Sequence, residues 1–472
     1  MRDVGRIAGA VLTAVALLAC AGPVAAQDPQ GHAVVPGALE GRPALRQASP
    51  LQAFVDAARP GGTVEVPPGT YEGDLVLDRP VRLVGVGRPR LVGSGEGSVV
   101  RIRADDVTVA GFDIDGRSGG DLARDSSGVH VSGRRARIED CRIERTLFGV
   151  YFREADGGAV ERCRIQGIRG KDPGEKGSGI HVWNTRGFRL VGNEIVEVRD
   201  GFYIQSSSGG FIARNQARDL RYGLHYMFSD DNVFEDNLFA NGAAGTAIMY
   251  SRRIAFRRNR FVHNRGFASV GLLFKTCDDV IAEDNLVADN ARGIFLEDSR
   301  RNLFRRNIVA SSDIAVVLYD SVAENRFEGN AFVANMTPLW LVGKRTDTVF
   351  DGNYWSENDE PDLDGDGRSD RPYRLTSVFD HFRGNLTAAD LFSAGFAAAA
   401  LGVAERTFPV LEPVRVVDRA PLARPPALPA VPAPARGRSG PDAPAFAVSA
   451  AALLLGALGL SLGRRSRPGA AR

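Results

Sequence analysis

Histidine and methionine recur at fixed places in a series of short runs that each open on a glycine. The runs open at Gly128, Gly149, Gly179, Gly201, Gly223, Gly245 and Gly271. Successive side chains of an extended run point to opposite faces, so the mostly apolar first and third residues should face a core. The second residues, which should face outward, are His130, Tyr151, His181, Tyr203, His225, Ala247 and Leu273. The fourth residues, also outward, are Ser132, Arg153, Trp183, Gln205, Met227, Met249 and Lys275.

Four of these outward side chains have the chemistry of a copper site. Imidazole nitrogen and thioether sulfur are ligands that suit Cu(I). We therefore predict a copper site at His225, Met227 and Met249, with His181, two runs away, joining through side-chain reach or forming a second site. Two alternatives stay open: a stacked ladder in which Met only fills gaps, and a surface that docks a copper chaperone without touching the metal.

Carboxylates alternate in the segment DLDGDGRSD, at Asp362, Asp364, Asp366 and Asp370. This pattern resembles calcium loops of the DxDxDG type and predicts a calcium site, although the twelfth position is Tyr373 instead of Glu. The alternative is a solvated acidic turn. Polysaccharide cleavage needs two or three carboxylates together on one outward face. Asp200 stands next to Arg199 before a run, but no acidic residue recurs in the outward columns beside it.

Two cysteines, Cys141 and Cys163, lie 22 residues apart at equivalent places in consecutive repeats. Stacking would bring them within disulfide distance, and an exported protein permits the bond. A disulfide and a pair of buried thiols are both open. Cys277 falls in a four-residue insertion and has no evident partner.

The elements that position these residues repeat with a period near 22. From Gly201 to Gly293 the glycines are spaced by 22, 22, 26 and 22 residues, and a recurring Asn follows the same period at Asn193, Asn215, Asn237, Asn259, Asn285 and Asn307. A repeat of this length with period-two alternation predicts a solenoid with one coil per repeat. We predict an all-β, right-handed parallel β-helix over residues 50–355, with stacked Asn side chains along one turn.

Both ends of the chain carry export and anchoring signals. Arg2 and Arg6 precede an apolar run and the segment Val24-Ala25-Ala26, so residues 1–27 are predicted to be a signal peptide, with lipidation of Cys20 as an alternative. Residues 356–420 should form a C-terminal extension with the acidic loop and a short helix near 387–404. Residues 421–444 are predicted to be a Pro-rich linker, and 445–463 a transmembrane helix anchoring the chain to the inner membrane. The net charge of +2 without a basic stripe argues against nucleic acid.

Several longer segments resemble the NosD family of nitrous oxide reductase maturation proteins. They are GIHVWN at Gly179, RDGFYIQSS at Arg199, LRYGLHYMFSDDN at Leu220, IMYSRR at Ile248, GNYWSEND at Gly352, DLDGDGRSDRPY at Asp362 and TFPVLEP at Thr407. The resemblance implies a periplasmic β-helix without enzymatic activity. It also implies work with an ABC transporter ATPase and permease that supplies copper, or sulfur, for the copper centres of nitrous oxide reductase. The C-terminal anchor and the segment PLWLVGKRTD depart from the family pattern. An exported polysaccharide-binding or -cleaving protein is the alternative.

Overall fold

The computed structural model describes residues 49–117, 125–266, 269–343, 345–375 and 416–427, with the single positions 400 and 431. Its strands wind into a right-handed parallel β-helix with three sheets, so the predicted fold is confirmed. A six-residue helix, α1 (Gln52–Ala57), precedes the first coil and buries Val55. A short 3-10 turn, Pro173–Glu175, lies in the polar insert before Gly179.

Each coil contributes one short strand to each sheet. The first sheet contains β1 (Thr63–Val66), β4 (Arg82–Gly85), β7 (Thr108–Ala110), β10 (Arg137–Glu139), β13 (Ala159–Glu161), β16 (Arg189–Val191), β19 (Phe211–Ala213), β22 (Val233–Glu235), β25 (Ala255–Arg257), β28 (Ile281–Glu283), β31 (Leu303–Arg305), β34 (Arg326–Glu328), β37 (Val349–Asp351), β40 (Val417–Asp418) and β39 (Tyr373–Arg374). The second sheet contains β2 (Thr70–Glu72), β5 (Arg90–Val92), β8 (Asp113–Asp115), β11 (Arg142–Glu144), β14 (Arg164–Gln166), β17 (Glu194–Val196), β20 (Gln216–Arg218), β23 (Leu238–Ala240), β26 (Arg260–Val262), β29 (Leu286–Ala288), β32 (Ile308–Ala310), β35 (Ala331–Val333) and β38 (Tyr354–Trp355). The third sheet contains β3 (Leu75–Leu77), β6 (Val100–Ile102), β9 (Ser127–Val131), β12 (Phe148–Arg153), β15 (Ser178–Trp183), β18 (Asp200–Gln205), β21 (Tyr222–Met227), β24 (Ala244–Arg252), β27 (Leu272–Asp278), β30 (Arg292–Glu297), β33 (Ile314–Tyr319) and β36 (Thr337–Val342).

The interior is a continuous apolar column. Side chains one and three places after each repeated glycine are buried, as predicted from the alternation. Rings stack from coil to coil, with centroids of Phe234 and Phe256 4.7 Å apart and those of Phe304 and Phe327 4.5 Å apart. No single coil could bury such a face alone, and stacking therefore supplies the core.

The repeated glycines form a column in which neighbouring backbones approach closely. A Cβ atom added at Gly223 would lie 2.7 Å from the carbonyl oxygen of Gly245, and one at Gly201 would lie 2.6 Å from that of Gly223. Real Cβ atoms do not approach an oxygen so closely. The glycines therefore recur in the sequence because there is no room for a Cβ atom between neighbouring coils at this place.

The recurring asparagines form a buried ladder with a direction. Each Oδ1 atom accepts hydrogen bonds from the backbone N–H and the side-chain Nδ2 of the Asn one coil earlier, as Asn215 does for Asn193 at 2.9 Å each. Each Nδ2 also donates to a backbone carbonyl, that of Leu190 for Asn215. The ladder continues through Asn237, Asn259, Asn285, Asn307, Asn330 and Asn353.

Asp418 ends this ladder. Its carboxylate, fully buried, accepts hydrogen bonds from the backbone N–H of Gly352 and Asn353, from Nδ2 of Asn353 and from Nε1 of Trp355. A carboxylate suits this place because it accepts without donating, and the last Asn has only donors left to satisfy. Residues 416–427 thus close the C-terminal end of the stack.

The first residues of the predicted linker pack against the solenoid. Leu422 donates its backbone N–H to Asn353 O at 2.9 Å, and Ala423 donates to Gly367 O at 3.0 Å. Pro421 is buried. These three residues belong to the closing segment, and a Pro-rich linker over the rest of 421–444 stays a prediction.

Several predicted segments lie outside the described residues: the signal peptide at 1–27, nearly all of the helix at 387–404 and the transmembrane helix at 445–463. They stay predictions. Within the described part of the chain, no helix has the length and apolar character needed to cross a membrane.

Candidate functional site on the outer face of the third sheet

The second-position column forms as predicted. His130, Tyr151, His181, Tyr203 and His225 pair in register, one from each coil, on strands β9 to β21. Neighbouring rings are in contact, with centroid separations of 5.1, 4.5, 4.5 and 4.7 Å along the column. The outer face of the third sheet therefore carries an unbroken aromatic and imidazole stack.

The side chains of this stack are more buried than expected for residues that face outward from the sheet. Leu147, Phe148 and Tyr151 form a small buried cluster outside the main core, with Trp183 packed against it. Burial lowers the pKa of His130 to about 4 and that of His181 to about 3. Both imidazoles are therefore neutral near pH 7. The Nδ1 atom of His181 is buried and has no hydrogen-bond partner among the described residues.

The two methionines lie side by side in the fourth-position column. Met227 of β21 pairs directly with Met249 of β24. Their neighbours in the column already have partners: Gln205 accepts a hydrogen bond from Tyr203 Oη at 3.0 Å, and Lys275 forms an ion pair with Glu297 at 2.9 Å. The thioether sulfurs are thus the soft groups on this part of the face that remain available to a ligand.

His225 lies on the same strand as Met227, two residues earlier, and both face outward. His181 does not join them, because the ring of Tyr203 lies between the two imidazoles. The structure therefore brings together His225, Met227 and Met249 and leaves His181 two coils away. We call the first three residues the His-Met patch.

Beside the His-Met patch, the next column carries two exposed aromatic side chains that the sequence analysis did not single out. Phe228 and Tyr250 stack with centroids 5.1 Å apart and planes inclined by 9°. They are 55 % and 45 % exposed, and both have positive φ angles, which are uncommon for bulky residues. Their recurrence one place after Met227 and Met249 was the available signal.

A buried carboxylate next to the patch was also underrated. Asp200 is fully buried and contacts Arg199, Arg221 and His225. Burial alone would raise the pKa of the Asp200 carboxyl, but hydrogen bonds from His225 and Arg221 outweigh burial and hold that pKa at about 2. The sequence signal is an arginine two places before Gly201 and again two places before Gly223, which can pair with this acid.

The acidic loop brings together three of its four predicted ligands. Carboxylate oxygens of Asp362, Asp364 and Asp366 lie within 4.8 Å of one another. Asp362 accepts hydrogen bonds from the N–H groups of Gly365 and Gly367. Asp370 instead accepts a hydrogen bond from the backbone N–H of Leu363 at 2.7 Å. The three carboxylates thus support the backbone of the loop, and calcium binding stays a prediction.

The cysteines stack as predicted, but the structure contains them as thiols. Cys141 and Cys163 are buried and not bonded to each other in it, and a disulfide between them stays a prediction. Cys163 takes the place before Asn193 in the ladder, and its backbone N–H donates to Asn193 Oδ1. Cys277 does not lie in the insertion. It belongs to β27, pairs in register with Ser251 of β24, and donates its backbone N–H to the side chain of Ser299.

Fold and face together define a parallel β-helix protein whose outer sheet surface displays histidine, tyrosine and methionine. Two solved structures share the fold. The mannuronan C-5 epimerase AlgE4 A-module of Azotobacter vinelandii is 16% identical with a TM-score of 0.51, covering 63% of this chain and 94% of that one. A family 28 exopolygalacturonase of Yersinia enterocolitica is 12% identical with a TM-score of 0.51, covering 65% and 75%. At these identities the likeness concerns the fold alone.

Residues 161–360 match the model of the family described as periplasmic copper-binding protein (NosD). Two proteins named "Probable ABC transporter binding protein NosD" are each 29% identical to this chain. The one from Stutzerimonas stutzeri matches over 80% of this chain and 90% of its own length, and the one from Pseudomonas aeruginosa over 81% and 93%. The predicted resemblance to the NosD family is confirmed.

Proposed function

We propose that this protein is a non-enzymatic periplasmic accessory protein for nitrous oxide reductase maturation. In this role it works with an ABC transporter permease and ATPase to supply copper, or a sulfur species, for assembly of the copper centres. The description of the matching family as periplasmic and copper-binding supports this proposal, as do the names of the two relatives. The proposed signal peptide and C-terminal helix would export the chain and hold it at the inner membrane.

The observation that carries the copper proposal is the pairing of Met227 with Met249 beside His225. Directly paired residues of adjacent strands lie about 4.8 Å apart, so both thioethers are close to one another before any metal arrives. Two sulfurs and one imidazole form a ligand set that suits Cu(I). Copper is the cargo in this proposal, and an outward, three-ligand patch leaves it accessible for transfer.

A double substitution tests the patch. Met227→Leu with Met249→Leu conserves side-chain volume and removes both sulfurs, so the affinity of the purified chain for Cu(I) should fall at least about tenfold. Affinity is measured anaerobically by competition with a chromophoric Cu(I) chelator. Met336→Leu is the matched control, because Met336 is 74 % exposed on another part of the surface and its loss should leave Cu(I) affinity unchanged.

Two results would separate the proposal from its rivals. Unchanged Cu(I) affinity in the double variant contradicts direct copper binding at the His-Met patch. If such a variant also loses capture of a copper chaperone in a membrane pull-down, the exposed rings of Phe228 and Tyr250 beside the patch make docking the better account.

A further inference from the structure

The buried carboxylate of Asp200 is held in one orientation. Arg221 donates hydrogen bonds to both of its oxygens, from Nε to Oδ1 at 2.9 Å and from Nη2 to Oδ2 at 2.7 Å. Arg199 adds a contact from Nε to Oδ2 at 3.3 Å. The guanidinium of Arg221 is itself placed by the ring of Tyr222, whose centroid lies 4.4 Å from Cζ. A two-pronged arginine contact fixes both the position and the plane of a carboxylate.

The fixed carboxylate faces His225. The distance from Asp200 Oδ2 to His225 Nδ1 is 3.4 Å. The imidazole lies against the rings of Tyr203 and Tyr222, with centroid distances of 4.7 and 5.4 Å and inclinations of 78°. The carboxylate favours the tautomer with its proton on Nδ1, and no described residue bonds to Nε2. The lone pair of Nε2 is therefore left for an external partner.

We propose that Asp200 is a positioning residue for His225 as a Cu(I) ligand, an inference that rests on the copper-binding function proposed above. A histidine that binds a metal typically donates its other ring N–H to a carboxylate, which fixes the tautomer and makes the ligand nitrogen more basic. Asp200 supplies that carboxylate from the preceding coil. Arg221 holds the carboxylate in this orientation through its two hydrogen bonds.

Its place in the repeat supports a role beyond packing. In register, Asp200 follows Ser178 and precedes Tyr222 and Ala244, all uncharged. The stack therefore does not need a charge at this place. Burying an ion pair is weak evidence for added stability, because desolvation offsets the attraction. Among the described residues of this column, Asp200 is the one buried carboxylate, and it lies on the coil next to His225.

The test is a double-mutant cycle read out as Cu(I) affinity of the full chain by chelator competition. Asp200→Asn should lower affinity about tenfold to a hundredfold, the usual effect of removing such an outer partner. In a His225→Ala background the same change should have little further effect, since Asp200 acts through the imidazole. Asp231→Asn, which breaks a surface ion pair with Arg253, is the matched control and should leave affinity unchanged.

Each outcome decides a different point. Wild-type affinity in Asp200→Asn, with loss in the double Met variant, overturns this inference and leaves the copper proposal standing. An equal loss with and without His225 shows a structural role and also overturns it. Wild-type affinity in the double Met variant refutes the copper proposal itself. If Asp200→Asn does not fold, Arg221→Lys tests the same role of Asp200, because lysine keeps the positive charge but cannot make the two-pronged contact with the carboxylate. Unchanged Cu(I) affinity in Arg221→Lys overturns the inference.

Discussion

Replacing Asn215 by Ala tests whether the asparagine ladder stabilises the solenoid. The side chain is almost fully buried and makes four hydrogen bonds: two accepted from Asn193, one donated to Leu190 O and one to Asn237 Oδ1, all between 2.8 and 2.9 Å. The backbone N–H of residue 215 still reaches Asn237 Oδ1 in the variant, so that oxygen keeps a donor. The backbone N–H of Asn193, one N–H of its side-chain amide and the carbonyl of Leu190 lose a partner, while the other amide N–H keeps its hydrogen bond to Val160 O. At about 1 kcal/mol for each buried group left unpaired, the free energy of unfolding should fall by about 3 kcal/mol.

The measurement is urea unfolding of the full chain, with hydrogen exchange of peptides from strands β16 to β23 to locate the loss. A local readout is needed because coils of a solenoid are coupled to their neighbours and long arrays do not always unfold in one step. Gln216→Ala is the control, since this amide is adjacent in sequence but exposed. A loss below about 1 kcal/mol, or one equal to that of the control, would refute the reasoning that unpaired groups dominate the effect.

Two further predictions concern the column and the closing segment. His181→Phe should raise the free energy of unfolding by about 1 kcal/mol at pH 7, because a buried nitrogen without a partner is removed. Burial holds the folded pKa of His181 at about 3 against 6.5 for the free side chain, so the unfolded chain protonates first and the wild type should lose stability as pH falls from 6.5 toward 3. Melting curves at pH 7 and 5 should show a smaller acid loss in the variant; an equal loss would contradict this. Removing residues 428–472 should leave a folded chain, whereas removing 421–472 also strips the hydrogen bonds of Leu422 and Ala423 and should cost about 1–2 kcal/mol. Equal melting temperatures of the two truncated chains would count against a closing role.

The repeat made most of the fold predictable. Two spacings, of glycine and of asparagine, determined the coil length, and strand alternation then assigned inward and outward positions on every coil. That arithmetic also placed Met227 against Met249 correctly, since residues one period apart must pair in a parallel stack.

Contacts that do not follow the period could not be predicted. Asp418 pairs with Asn353 from 65 residues away, across a segment without repeats, and only the folded chain shows that it ends the ladder. Asp200 was visible in the sequence, but its importance depends on the reach of Arg221 from the next coil, which side-chain conformation decides. Coil spacing was sufficient to predict that His181 lies two coils from His225. The structure adds that the ring of Tyr203 lies between the two imidazoles and separates them.

The fixed spacing between coils also sets the distances between sites along the solenoid. From β21, which carries His225 and Met227 of the His-Met patch, to β36 the third sheet advances by five strands, or about 24 Å at ~4.8 Å per strand. Ala423, which donates to Gly367 O, lies at the end of the solenoid that Asp418 closes. Adding or removing one whole coil would therefore shift the patch relative to that end in a step of about 4.8 Å, while a fraction of a coil would break the ladder. The number of coils between the patch and Asp418 therefore sets, in whole steps, how far the patch lies from the closed end of the solenoid.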